Sequence, residues 1–471
     1  MSSKHLPVRS SLGFCMAALV VSYVFASCSP KTTSLQMPEM PATRIGGISA
    51  PAAAAESIAR STTAQQGPLR LTAAAAIQVA LKQNPSLNGL YQRFQQETLR
   101  IRQQTALPDP QIQYTQFVES IQTRTGEQEF ILGVSQLFPW FGELETQGEI
   151  AHLRARQALA KYRQALLEVR TQVQEAFYRY LYQQKRKSLL QEEIDLLNEM
   201  RDSVLYLYTA GDRGRQSVLR IETEIARLKN ELLRIPSQLT QYKTRLTRLL
   251  NEERPLELIE AGYEEIAMPD MNFTEMLQTA QRQRPDLESV SQQQDIAKLQ
   301  YELARIDDYP DIQVGMNYIG IGDSPLNPPD EGEDAFNIGI RFNIPLPNVK
   351  RAASKRIAQI QLQESHQAYV DLENRIQEDI TFLIDHIETL TQRHRQIADE
   401  WIPLALESLE TTRIAYETGD AALADIIDAE RAYIELRKQQ IQIQRDFHLA
   451  IAELERTTGE GLFEPNKEPT S

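Results

Sequence analysis

From Glu143 to Tyr208 the chain has no proline and one glycine, Gly148. Apolar residues recur through it at helical spacing: Leu153, Leu159, Leu166, Val169, Val173, Phe177, Tyr180 and Leu189. Many lie three, four or seven apart, the spacing of helix-on-helix seams. At 1.5 Å per residue this predicts one helix about 100 Å long. No compact domain needs such a rod, so the pattern points to coiled-coil packing.

The rod is built twice. Tyr208 leads into Gly211-Asp212-Arg213-Gly214, and a second helical pattern, Gln216 to Leu250, returns with Pro236 as a kink or break. Later, Lys350 to Trp401 repeats the long pattern. Pro403 interrupts it, it runs on to Tyr416, and Gly419-Asp420 turns the chain into Leu423 to Thr458. Other landmarks repeat in register. Leu71-Thr72 corresponds to Phe273-Thr274, and Thr72 is a plausible cap for the helix that follows it. Pro285 lies 200 after Pro85, and Gly419 lies 208 after Gly211. A near-constant offset over many landmarks signals an internal duplication. The expected units are 68–270 and 271–459, with a polar connector from Glu252 to Asp270 inside the first and a polar tail at 460–471.

Each unit also switches from helical period to period two. In the first, strands are expected at 111–118 and 129–137 around the turn Thr123-Arg124-Thr125-Gly126. In the second they are expected at 311–319 and 335–344. There Ile312, Val314, Met316 and Tyr318 share one face, and so do Phe336, Ile338, Ile340, Phe342 and Ile344. A sheet packed on a soluble core is the plain reading. Against it, an isolated hairpin is marginal in water. The strand length and the one apolar face suit a tilted membrane strand. Four strands are too few to close a barrel, but several chains together would be enough.

The N-terminus reads as an export address. Lys4 and Arg9 precede an apolar run from Leu12 to Phe25, followed by Phe25-Ala26-Ser27-Cys28. This resembles a lipoprotein signal at 1–27, with Cys28 acylated by palmitate; Phe25 departs from the usual small aliphatic residue. Ser29 resembles the outer-membrane sorting pattern. The plainer alternative is ordinary cleavage near Ala26. Residues 28–67 are rich in Pro, Ala, Ser and Thr and read as a tether. The only cysteines are Cys15 and Cys28, so a chain cleaved after 27 has no internal disulfide. The formal net charge of -14 argues against a nucleic-acid partner. No phosphate-binding loop, nucleophile motif or Cys/His ligand spacing appears, so no enzyme, cofactor or metal site is expected.

In order and spacing, these features resemble the TolC family of outer-membrane efflux channels. The resemblance spans residues 71–459. It rests on the duplicated helix, hairpin, long helix, turn, helix order, on Tyr416-Glu417-Thr418-Gly419-Asp420 with Leu423 to Arg431, and on Glu453 to Gly459. It implies a mainly α chain with membrane β: a duplicated long-helix coiled-coil α-barrel plus four strands per chain. A homotrimer would complete a twelve-stranded outer-membrane barrel, lipid-anchored and extending into the periplasm. It also implies an adaptor protein and an inner-membrane pump, RND-type by expectation, for which the chain is the exit duct. Gly211, Asp212, Arg213, Arg215, Tyr416, Gly419 and Asp420 would form the periplasmic tip that meets the adaptor. Asp425 and Asp428 correspond to the aspartates that narrow the pore.

Their spacing, i and i+3, puts both aspartates on one helix face, and rings of carboxylates favour cations. Acids in a first helical turn also simply complement its dipole. Ala421 and Ala422 stand where the family often has a basic residue. A lock, if present, would run from Arg213 or Arg215 to Glu417, Asp420 or Asp425; solvated tip charges are the alternative. Phe138-Pro139-Trp140-Phe141-Gly142 resembles the strand exit of channels paired with heavy-metal-efflux pumps. The rival function is a periplasmic adaptor lipoprotein, which would normally carry one helical hairpin flanked by soluble β-domains.

Overall fold

A computed structural model describes residues 69–209, 215–259, 271–324 and 332–459, with the single residues 266 and 329. The signal and tether at 1–67, Cys28, tip residues Gly211, Asp212 and Arg213, and the tail at 460–471 lie outside the described residues.

The chain opens with a short strand, β1 (Leu69–Leu71), and helices α1 (Ala73–Gln83) and α2 (Pro85–Thr105). Thr72 Oγ1 accepts from Ala75 N–H and caps α1. Asn84 ends α1 and caps α2, with Pro85 in the first turn, where its missing N–H costs nothing. Strands β2 (Gln111–Gln122) and β3 (Glu127–Phe138) follow, then α3 (Glu143–Thr209), 67 residues without interruption. The return is two helices, α4 (Arg215–Leu232) and α5 (Ile235–Leu250), because Pro236 lies in the first turn of the second.

The second half runs β4 (Leu256–Leu258), α6 (Phe273–Gln283), α7 (Pro285–Ile306), β5 (Ile312–Ile321), β6 (Ala335–Phe342) and α8 (Val349–Arg395). Pro403 does not break the rod. A π-helical segment, Gln396–Trp401, precedes it, and the chain continues as α9 (Ile402–Thr418). The wider turn lets Ile402 N–H reach Ile397 C=O and takes up the distortion a proline imposes. Finally α10 spans Leu423–Thr458.

Several elements differ from expectation. The Glu252–Asp270 connector contains a strand, β4, which pairs in parallel with β1; Arg70 and Glu257 add an exposed ion pair at 2.8 Å. The cap of α6 is Asn272, whose Oδ1 accepts from Thr274 N–H at 2.9 Å. Strand β2 is longer than its alternation suggests because its ladder shifts between Gln116 and Ile121, as a bulge allows. Strand β6 stops two residues short of Ile344. There the Asn343 side chain takes over the ladder, accepting from Asp311 N–H at 2.6 Å and donating to the Asp311 carboxylate at 2.9 Å.

The four long strands form one antiparallel sheet in the order β2-β3-β5-β6, so the two hairpins are joined through β3 and β5. Helix α3 is the spine. It packs against α1, α2, α4, α5, α7 and α10 in turn along its length. Two apolar clusters mark the packing. One joins α6, α7, α8 and α10 through Met276, Ile380, Ile387, Phe447 and Leu454. The other lies toward the tip, where Leu190, Ile194, Leu197 and Val204 of α3 meet Val218, Ile221 and Ile225 of α4 and Leu423 and Ile427 of α10.

The two halves close on themselves in the same way. Asn84 Nδ2 donates to Leu249 C=O at 2.9 Å, and Arg284 Nη1 donates to Thr457 C=O at 3.0 Å. Just beyond, α5 and α10 both end on a left-handed residue, Asn251 and Gly459. The same buried junction thus ties the cap residue before each proline to the end of each return helix. Asn84→Ala removes a cap and this buried bond together, and we expect a loss of about 2 kcal/mol of stability in urea unfolding of the detergent-solubilised protein; a loss near zero would mean the junction contributes nothing.

Candidate functional site

Two regions carry the features that bear on function: the sheet and the helical tip. In the sheet, register decides the faces. Ile112 pairs with Val134, Val134 with Met316, and Met316 with Ile338. One row over, Tyr114, Leu132, Tyr318 and Phe336 align. One face is therefore apolar across all four strands, and much of it is exposed: Ile338 is 69% and Ile340 61% accessible. The other face is polar and small. Asn317 donates to Asn337 at 2.9 Å, Arg341 to Gln313 at 3.2 Å and Gln313 to Ser135 at 3.0 Å. Gly133, Gly315 and Gly339 share it. A solvated sheet would reverse this exposure, because burial of the apolar face is what stabilises it in water.

At the strand exit, Trp140 stacks on Tyr309 with ring centroids 5.1 Å apart and planes 8° apart, and Phe141 meets its edge. The stacked pair links the end of the first hairpin to the start of the second.

At the tip, α9 ends because Gly419 takes φ +90°, a conformation costly for a side-chain-bearing residue. Asp420 N–H then reaches Ala415 C=O at 2.7 Å, and the chain reverses. Asp425 stands at the third position of α10, and its carboxylate accepts from Ala422 N–H at 2.8 Å. This is the reciprocal half of a capping box; alanine has no side-chain acceptor for the other half. The buried face of α10 carries Leu423, Ile426, Ile427, Glu430 and Ile434. Asp425 and Asp428 lie together on the exposed side, Asp428 also 3.6 Å from Arg431.

The charges expected in a lock have local partners within the chain. Glu417 pairs with Arg413 at 3.5 Å, and Asp420 accepts from Thr418 Oγ1 at 2.9 Å. Arg215 is exposed at the start of α4, while Tyr416 packs into the apolar tip cluster.

The ion pairs that cross between hairpins lie further from the tip, and spacing alone does not reveal them. Glu224 of α4 is 4% exposed and is held by Arg227 of its own helix at 2.6 Å and by Arg431 of α10 at 2.5 Å. Burial pushes Glu224 upward, but hydrogen bonds from Arg431 and Arg227 outweigh it and hold the carboxyl below its ordinary value of 4.5. Glu193 of α3 is equally buried, with Lys438 of α10 at 3.2 Å but outside hydrogen-bond alignment. Burial raises Glu193 despite that lysine. The only signal in sequence is Glu224's place on the apolar stripe of Val218, Ile221, Ile225 and Leu228.

The sequence profile of the outer membrane efflux protein family matches residues 76–252 and 276–460, most of the chain in two blocks. No curated protein matches the chain in sequence. Among solved structures, CusC superposes with a TM-score of 0.70 at 17% identity, covering 85% of this chain and 96% of that one. The Campylobacter jejuni CmeC outer membrane channel gives 0.69 at 14% identity, covering 84% and 87%. The Vibrio cholerae outer membrane protein VceC gives 0.68 at 18%, covering 83% and 97%. At such identities these likenesses establish the fold. The two-block profile match establishes the family: the chain belongs to the outer membrane efflux proteins, the TolC-type channels. Its function is that of an outer-membrane exit duct in tripartite efflux, and not that of the adaptor considered as the rival.

Because Glu224 titrates below its ordinary value in the folded chain, its stabilising effect is complete above pH 4.5 and is lost as pH falls through the folded value. Glu224→Ala should therefore cost about 2 kcal/mol at pH 7 and progressively less in acid, measured by urea unfolding at several pH values. A cost that is the same at all pH values would exclude the ion pairs as its source.

Proposed function

We propose that three copies of the chain close one twelve-stranded barrel in the outer membrane, four strands from each. The observation that carries this reading is the sheet. It presents an apolar face to its surroundings, a polar face on the other side, and outer edges at β2 and β6 that no described strand pairs. In a bilayer every backbone polar group needs a partner inside the protein, so a sheet with two open edges needs neighbours to close it. A closed barrel would turn Asn317, Asn337, Gln313 and Arg341 to an aqueous lumen.

The long helices then form the wall of a periplasmic tunnel. At its tip, Asp425 and Asp428 from three chains make two stacked carboxylate rings around the axis, which favour cations and narrow the exit. Gly211, Asp212, Arg213, Arg215, Tyr416, Gly419 and Asp420 face an adaptor protein and, through it, an RND-type inner-membrane pump. The exposed location of Asp425 and Asp428, opposite the apolar face of α10, supports this assignment. Trp140 and Phe141 suit the membrane-water boundary, and a lean toward heavy-metal efflux rests on that motif. A passive exit duct need not bind what passes. The units 68–270 and 271–459 each supply one strand hairpin and one helical hairpin.

Single-channel recording of the detergent-extracted protein in planar bilayers tests the pore. We expect small, cation-selective steps that grow severalfold, with weaker cation selectivity, when Asp425 and Asp428 are both replaced by Ala. Absence of conductance, from protein that stays monodisperse without detergent, would refute the barrel. We also propose that Cys28 carries the lipid, with 1–27 as its signal and 28–67 as the tether. Metabolic labelling with palmitate should mark the wild type and not Cys28→Ser; equal labelling of both would exclude Cys28 as the acylated residue.

A further inference from the structure

Glu430 is the anomaly of the tip. It is 3% exposed, on the face of α10 that packs against α3 and α4, and neither carboxylate oxygen has a hydrogen-bond partner among the described residues. A buried ionised carboxylate without partners is costly, so such a group persists only when neutral or when something else depends on it.

Its surroundings make charging harder. From α3 the facing charged group is Glu193, and from α4 it is Glu224. The cations nearby are already engaged: Lys438 with Glu193, and Arg227 and Arg431 with Glu224. Asp428, one turn before Arg431 on α10, shares that arginine and lies at the surface. Helix α9, which also packs on α10, carries Glu407, Glu410, Arg413 and Glu417, all exposed. Farther from the tip, Arg186 and Glu231 are paired with each other across α3 and α4. Each of these cations is thus held by another carboxylate, and the charged groups that act on Glu430 are both acidic.

We propose that Glu430 is a proton-controlled latch on the seam between the first helical hairpin and α10. The seam holds while the carboxyl is protonated and loosens once it is charged. Ionised, the group gains solvation only if α10 draws away from α3 and α4. That movement shifts the helix bearing Asp425 and Asp428, so the latch joins proton occupancy to the geometry of the tip.

Burial, then repulsion from Glu193 and Glu224, raises the Glu430 carboxyl from 4.5 to about 7. The packed state thus binds a proton that a solvated Glu430 would release. The seam is most stable below pH 4.5, weakens as pH rises between 4.5 and about 7, and weakens no further above that.

Amide hydrogen exchange of the full-length, detergent-solubilised protein, corrected for intrinsic rates, reads the seam without needing conductance. A failed channel reading would therefore leave this test intact. The peptides to follow cover 189–204, 218–232 and 423–438. Glu430→Gln keeps the shape and removes the charge. We expect wild-type and Glu430→Gln exchange to match near pH 4 and the wild type to exchange up to about 100-fold faster near pH 8. Glu430→Met, neutral and of similar length, should behave as Glu430→Gln does and is read in its place if that variant does not assemble. A wild-type to variant ratio that does not change with pH would overturn the latch.

Discussion

A helix of 67 residues has to bury an apolar stripe along its whole length, and no partner in this chain is as long. The rest of the structure follows from that constraint. Helix α3 is covered by a succession of shorter helices, α2 and α7 near the strands, α1 and α5 in the middle, α4 toward the tip, and α10 from the middle to the tip. Each handover between partners is a place where helices end, and helix ends expose backbone groups that need capping. The chain answers with paired junctions, Asn84 on Leu249 and Arg284 on Thr457, at equivalent points of its two halves. Asparagine and arginine do the same work there because both reach a carbonyl at the end of the return helix with a side-chain N–H.

The sheet obeys a different solvent. Its apolar residues face outward and its polar residues hydrogen-bond to one another on the other face, the reverse of a sheet packed on a water-soluble core. The helices keep the ordinary arrangement, with aliphatic clusters inside and charge outside. One chain therefore carries two solvation rules, and the change falls at the Phe138 to Gly142 exit, where Trp140 stacks on Tyr309. At the far end the tip cluster is closed by aliphatic contacts from Leu423 and Ile427 and by charged side chains on the same seam. Apolar contacts hold the seam at any pH. The charged ones set how that hold varies with protonation.

Much of this was legible in sequence because it is local. The long rods follow from helical period without proline, the strand faces from period two, and the tip from Gly419. The shared face of Asp425 and Asp428 follows from their spacing alone. Other features gave too little local signal. Strands β1 and β4 are three residues each, below any periodicity, and are created by pairing with each other. Pro403 was readable as an interruption, but the π turn that absorbs it depends on how α8 and α9 pack. Of the lock expected from Arg213 or Arg215 to Glu417, Asp420 or Asp425 across neighbouring hairpins, Arg213 lies outside the described residues, and the three acids also have partners a few residues away.

By itself, then, the sequence determined the long helices, the four long strands, their duplication and the side of each that is apolar, because these depend on neighbours within a turn or a pleat. Tertiary structure alone decided which charges meet. Glu224 and Arg431 lie 207 residues apart, so no spacing rule connects them. Glu430, which no sequence pattern singles out, becomes a buried carboxyl only when α3 and α4 close over it. Burial is a property of the assembled helices, and it turns an ordinary glutamate into one whose charge the fold resists.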